Sequence, residues 1–383
     1  MVQTLVADEL IEQARQGTGL ERFDSDSFRA GLEVLVDDLK RSQRPPGAQD
    51  RLHAGIVGAL SARLRTTAYL DQHPALLQQP VARPVFVFGV PRTGTTLLSN
   101  LLAADPGRRS PLTWEIDDPV PPPKASMLRT DPRALARLEM ERKMLAARPE
   151  MGKYYRNSAI YPNECMFFIM HDFKALIWES RGRLPQYREW LFQADLTSTY
   201  QYHKRFLQLL QAEAPGVWNL KMPSHACWIP TLLKVYPDAR LIWTHRDPYT
   251  ATGSFCSLIS LSHQAFMGGV DTEWLGQNCS WQAAEHANRI MDARETLGRD
   301  RIIDVHYADL MRRPLETMRA LYRALDDEFT PQAEAGMTAW LADNPQDKFG
   351  RHEYKLAQYG LSVDKLAPLF ERYLSQYEVE REG

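Results

Sequence analysis

Val85-Phe86-Val87-Phe88-Gly89-Val90-Pro91-Arg92-Thr93-Gly94-Thr95-Thr96-Leu97-Leu98 constrains this chain more than any other stretch. A short apolar run of strand character ends at a glycine-bearing turn, and a helical pattern starts directly after it. Free backbone N–H groups and the positive end of a helix dipole then converge on one anion. Gly89-x-x-x-x-Gly94 has the spacing of a P-loop. Thr95, however, follows Gly94 at the point where a nucleoside triphosphatase carries the lysine that reaches the β- and γ-phosphates. The loop therefore reads as a holder of a single phosphate, without a magnesium–triphosphate apparatus.

From about residue 81 onward, short apolar runs alternate with helical patterns. The strand candidates are 85–88, 217–220, 241–244 and 302–305. Such alternation predicts an α/β fold: a P-loop-type, mainly parallel sheet flanked by helices, occupying 81–383. In an open sheet of this kind ligands bind beyond the C-terminal ends of the strands. The polar residues of interest fall there: the loop 89–96, Lys221, His245 with Arg246, and Tyr307. Residues 1–80 read as an N-terminal helical extension. Leu32, Leu35, Val36 and Leu39 recur at helical spacing behind the capping candidates Asp24, Ser25 and Asp26. Arg44-Pro45-Pro46-Gly47 breaks that helix, and a second one runs through Ile56, Leu60 and Leu64. About 150–212 is an aromatic-rich helical insertion with Tyr154, Tyr155, Phe167, Phe168, Phe173, Trp178, Tyr187, Trp190 and Phe192. Most of these rings are expected in the core, with some between 154 and 178 lining an acceptor pocket.

With 383 residues the chain can bury a large core, and its net charge of −2 argues against a general nucleic-acid binder. The four cysteines (Cys165, Cys227, Cys256, Cys279) form no C-x-x-C pair, so reduced, buried thiols in a cytoplasmic protein are expected. Ten histidines show no metal-binding spacing, and no metal is expected. The N-terminus lacks the pattern of a signal peptide, and no apolar run approaches the ~20 residues of a membrane span.

A second motif follows the third strand candidate: His245-Arg246-Asp247-Pro248, with Ser254 eight residues beyond Arg246, about two helical turns on. A guanidinium and a hydroxyl so placed can grip a second phosphate. The competing reading pairs Arg246 with Asp247 or another carboxylate.

The two motifs together resemble the sulfotransferases that use 3′-phosphoadenosine 5′-phosphosulfate (PAPS). The likeness spans about 85–360. Gly89-Val90-Pro91-Arg92-Thr93-Gly94-Thr95-Thr96 is similar to that family's 5′-phosphosulfate loop, and Arg246 with Ser254 to its 3′-phosphate motif. The Pro-Arg-x-Gly-Thr-Thr form lies nearer bacterial and tyrosylprotein sulfotransferases than the cytosolic phenol and steroid enzymes, which have lysine in place of Arg92. PAPS has a 5′-phosphate and no β/γ chain, which suits a loop without the lysine and needs no metal.

The resemblance implies that the N–H groups of Thr93, Gly94, Thr95 and Thr96 bind the 5′-phosphate, with Arg92 and Lys221 near the bridging oxygen. Tyr307 would border the adenine, and Lys348 and Arg351 would close over the 3′-phosphate. As general base it offers Glu115, by likeness to the tyrosylprotein branch, or His225, near the position of the cytosolic enzymes' histidine. The product would be R–O–SO₃⁻ with release of PAP, and the acceptor a small-molecule, lipid or carbohydrate hydroxyl. Protein tyrosine is less favoured, since no secretory or Golgi-type anchor is visible. A P-loop kinase or nucleotide hydrolase and a non-catalytic PAP-binding module stand as alternatives. Oligomeric state is open.

Overall fold

The structure, a computed structural model, describes residues 5–42, 44–147, 158–345 and 355–382. Five strands, β1 (Val85–Gly89), β2 (Arg108–Arg109), β3 (Val217–Lys221), β4 (Arg240–His245) and β5 (Ile302–His306), form one sheet in the order β2-β3-β1-β4-β5. Every pairing is parallel. The four expected strands are all present. The two-residue β2 is additional; its arginines have no apolar pattern to announce a strand, and pairing with Val217 and Trp218 makes it one.

Side chains alternate across a strand, so central β1 feeds both faces. Val85 and Val87 pack with Leu98, Leu101, Ile242, Val305 and Met318, while Phe86 and Phe88 enter a larger cluster on the opposite face. That larger cluster also holds Leu10, Leu32, Leu35, Ile56, Leu60 and Leu64. The helices Ala7–Thr18, Arg29–Lys40 and Pro46–Gln72 thus share a core with the sheet. Pro46 opens its helix at the first turn, where its missing N–H costs nothing. The capping expectation fails: Phe28 is the N-cap of Arg29–Lys40, with no side-chain cap. Among the described residues no helix is long and apolar enough to cross a membrane, and all four cysteines are buried with free thiols.

Asp24 and Ser25 instead serve a buried cation. Arg63, fully buried in Pro46–Gln72, donates from Nε to Asp24 at 2.7 Å and from Nη1 to Asp172 at 2.8 Å. Its Nη2 lies 3.3 Å from Ser25 Oγ, and its guanidinium stands 4.6 Å from the Tyr202 ring. Asp172 also accepts from Ser27 at 2.6 Å and Thr199 at 2.7 Å. This network ties the N-terminal helices to the inserted segment between β2 and β3. Burial alone would raise the Asp172 pKa, but Arg63, Lys174 and the two hydroxyls bring it below the ordinary 3.8.

Asp172→Ala leaves Arg63 buried with one of its two carboxylate partners and is expected to cost about 3–5 kcal/mol in urea unfolding at pH 7. A depressed folded-state pKa gives stability that is full above 3.8 and lost as pH falls through the folded value. The gap between wild type and variant should therefore narrow on acidification below about pH 4; a gap independent of pH would contradict the assignment.

Candidate active site

Gly89 ends β1 in register with Thr244 of β4, and the loop beyond it is bent by left-handed residues, Arg92 at φ 74° and Gly94 at φ 92°. Gly94 admits no side chain: an added Cβ would lie 2.6 Å from Tyr307 Cδ2. The loop is fastened by Thr93, which donates from Oγ1 to the Val90 carbonyl at 2.7 Å and lies 2.6 Å from Thr244 Oγ1. That buried hydroxyl is therefore committed to the protein. The helix Thr95–Ala103 starts at Gly94 with no side chain capping its first turn. Its first N–H groups have no carbonyl to bond within the helix, which leaves them for an anion.

Arg246 follows β4 directly and reaches the same loop. Its Nη1 donates to the Arg92 carbonyl at 3.0 Å, and its guanidinium stacks 4.3 Å from the centre of the Tyr307 ring. Ser254, on the helix Pro248–Met267, accepts from Arg92 Nε at 3.0 Å. Arg92, Gly94, Arg246, Ser254 and Tyr307 are thereby brought into one connected set. The competing reading of Arg246 also holds in part. Arg246 pairs with a carboxylate, that of Glu382, donating from Nε at 2.6 Å and Nη2 at 2.7 Å. Asp247 is not the partner; it caps the following helix, accepting from Tyr249 N at 3.1 Å, and accepts from Glu382 N at 3.0 Å. A two-pronged grip on a planar carboxylate is the geometry with which arginine also holds phosphate.

Lys221, at the end of β3, lies on the other side of the loop. Its Nζ is 3.3 Å from Thr96 Oγ1 and pairs with Glu164. Sequence reasoning missed Glu164. The carboxylate stands 57 positions before Lys221 and belongs to no motif; only the Pro162-Asn163 turn ahead of an apolar helix hints at an ordered position. Its side chain is 20% exposed, its Oε2 is buried without a hydrogen-bond partner, and the next residue's N–H (Cys165) donates to the Lys221 carbonyl at 3.0 Å. A carboxylate, an ammonium and a threonine hydroxyl thus meet at the edge of the anion-binding turn.

Both general-base candidates read from the sequence lie elsewhere. Glu115 has no exposed surface. Its Oε2 accepts from Arg109 Nη1 at 3.0 Å and from Leu112 N at 2.8 Å, and its Oε1 pairs with Arg109 Nη2. A carboxylate so held and closed off from solvent fastens β2 to the short helix Thr113–Asp117. His225 is equally buried, with Nδ1 on the Tyr200 hydroxyl at 2.9 Å and its ring against Phe86. Burial, then His203 nearby, holds its pKa well below the ordinary histidine value. Reaching it would require opening the core. His245 likewise faces inward, 2.8 Å from Asp304 and 3.0 Å from the Tyr373 hydroxyl. Phe168, Phe173, Trp178 and Tyr187 are core, packed with the sheet rather than lining a pocket. Tyr154, Tyr155, Lys348 and Arg351 lie outside the described residues.

Comparison with known proteins matches the chain along most of its length. Residues 84–331 match the model of the sulfotransferase family. The chain is 44% identical to sulfotransferase STF9 from Mycobacterium avium, over all of this chain and 99% of that one, with a TM-score of 0.94. It is 28% identical to sulfotransferase STF1 from Mycobacterium tuberculosis, over 97% and 99% of the two chains, with a TM-score of 0.85. The omega-hydroxy-beta-dihydromenaquinone-9 sulfotransferase Stf3 of Mycobacterium bovis is 24% identical over 76% of this chain and 74% of its own length. An uncapped helix start beside an arginine that already grips an anion, carried on this sheet and matched along these residues, makes the chain a member of the sulfotransferase family.

Proposed function

We propose that this protein transfers a sulfuryl group from PAPS to the hydroxyl of a lipid-like acceptor. The observation that carries the reading is Tyr307, which touches both anion-binding places: its ring lies against Gly94 at one and under Arg246 at the other. A ligand with two phosphates separated by a ribose that also carries an aromatic base suits that arrangement. The residues fit such a nucleotide, since the Thr95–Ala103 helix start is uncapped and Arg246 already holds a carboxylate as a phosphate would be held.

PAPS, when bound, supplies a sulfuryl group on an S–O bond whose cleavage frees PAP. The N–H groups of Thr93, Gly94, Thr95 and Thr96 hold the 5′-phosphate. Arg92 and Lys221 neutralise charge gathering on the leaving oxygen, an interaction stronger in the transition state than before it. Glu164 accepts the proton of the acceptor hydroxyl, so that R–OH becomes R–O–SO₃⁻ while one proton passes to the carboxylate. It is the partly exposed carboxylate beside Lys221, whereas Glu115 is sealed in its pair with Arg109. The lipid-like acceptor draws support from the hydroxylated menaquinone in the name of the relative Stf3.

Calorimetric titration should show PAP binding that is indifferent to magnesium, weakened about tenfold to 150-fold by Arg246→Ala, as for loss of hydrogen bonds to a charged group. Magnesium-dependent ATP turnover with no response to PAP would replace this reading with a kinase. Glu382→Ala removes the carboxylate now on Arg246 and should tighten PAP binding several-fold; unchanged or weaker binding would mean the tail does not compete. Glu164→Gln should lower kcat by roughly 10²–10⁴ while PAP affinity stays within about threefold. A nearly unaffected Glu164→Gln, beside a folded but inactive Glu115→Gln, would return the base role to Glu115.

A further inference from the structure

Beneath the active-site turn, Cys165, His203 and His225 converge from three segments: the residue before Met166–Ile169, the helix Thr197–Leu210 and the 3-10 turn Pro223–Trp228. The Sγ and one nitrogen of each ring lie within 4.8 Å of one another, and all three residues are fully buried. Nδ1 of His203 is 2.7 Å from the Tyr236 hydroxyl, and Nδ1 of His225 is 2.9 Å from that of Tyr200. Nε2 of each ring is buried with no hydrogen-bond partner. Buried polar nitrogens are rarely left unpaired, and two of them beside one thiol require a physical reason.

We propose that Cys165 Sγ and the Nε2 atoms of His203 and His225 form a binding site for a thiophilic d¹⁰ cation, monovalent copper in preference to zinc. Thiolate and imidazole are the donor set such ions select. The two tyrosines supply what a metal-bound imidazole ordinarily has: a partner for Nδ1–H that fixes the tautomer and leaves the Nε2 lone pair for the ion. With metal–nitrogen bonds of about 2.0 Å and a metal–sulfur bond of about 2.3 Å, three ligands sit roughly 3.5–3.7 Å apart, against separations within 4.8 Å for the sulfur and one nitrogen of each ring. On binding, the Cys165 S–H bond is lost, an S–metal bond forms, and one proton leaves to solvent.

Charge decides between the ions. The His225 and His203 rings lie 4.9 Å from Phe86 and 4.8 Å from Phe168. Of the charged side chains near them along the chain, Glu164 is paired with Lys221 and Arg205 with Asp24, while Lys204 Nζ stands 6.0 Å from the Tyr236 ring and adds positive charge. Copper(I) with one thiolate is neutral. Zinc(II) would leave a net positive charge in this apolar core, where an uncompensated charge is costly. A bound ion would also brace the turn carrying Glu164 against the segment that follows β3.

The full-length protein, purified anaerobically without chelators, is analysed for bound metal, then refolded with either Cu(I) or Zn(II) and analysed again. The expected result is about one copper per chain, an X-ray absorption spectrum with one sulfur and two nitrogen neighbours, and more than tenfold loss of copper in Cys165→Ala and His225→Phe. Magnesium-independent PAP binding by the same variants shows that they are folded. If they do not fold, the wild-type spectrum decides alone. Retention of zinc but not copper, with the same ligands, supports the site and overturns the charge preference. Less than about a tenth of an equivalent of either ion, or a spectrum without sulfur, overturns the proposal.

Discussion

Two hydroxyls 2.6 Å apart, Thr93 on the loop and Thr244 on the neighbouring strand, fasten the loop after β1 to β4. They work because β1 and β4 run parallel and end side by side, Gly89 opposite Thr244. A parallel pair sends both following segments out at the same edge. The loop after β1 and Arg246 after β4 are therefore forced together, although 154 positions separate Arg92 from Arg246. Because β5 lies next to β4, Tyr307 emerges where it can press on Gly94. Gly94 lacks a side chain for that reason as well as for its left-handed backbone.

Net charge says little about such a site. The chain carries −2 overall, and the cations around the turn are local: Arg246 and Lys221 are each partnered by a carboxylate, and Arg92 donates to Ser254. Those carboxylates differ in what surrounds them. Glu382 comes from the last residues of the chain and meets Arg246 where a phosphate would be gripped. Glu164 sits at a turn, partly exposed, beside Lys221. Asp172 and Glu115 are sealed against Arg63 and Arg109, and hold elements together. Burial and the geometry of the partner, rather than residue type, separate the partly exposed carboxylates Glu164 and Glu382 from the sealed Asp172 and Glu115.

The N-terminal helices illustrate the same dependence on context. Their apolar spacing announced helices, and helices they are. Their acidic residues looked like caps, yet Asp24 serves a buried arginine from another helix. Capping is a local bond of modest strength, whereas leaving a buried guanidinium unpaired is far costlier, so the long-range demand wins.

Local pattern determined the parallel sheet, its four main strands and the glycine-bearing turn after the first of them, because periodicity and glycine placement act over a few residues and are written directly in the chain. It also pointed to Lys221, Arg246 and Tyr307 as residues of strand ends and to Arg92 and Ser254 by spacing, and the structure sets these around one turn, while His245, at the same strand end, faces inward. Tertiary structure alone decided which carboxylate lies, partly exposed, beside the turn, and it withdrew Glu115 and His225 into the interior. It also brought Cys165, His203 and His225 together, which no histidine spacing foretold. These outcomes depend on burial and on contacts between residues far apart in sequence, quantities that exist only once the chain has packed.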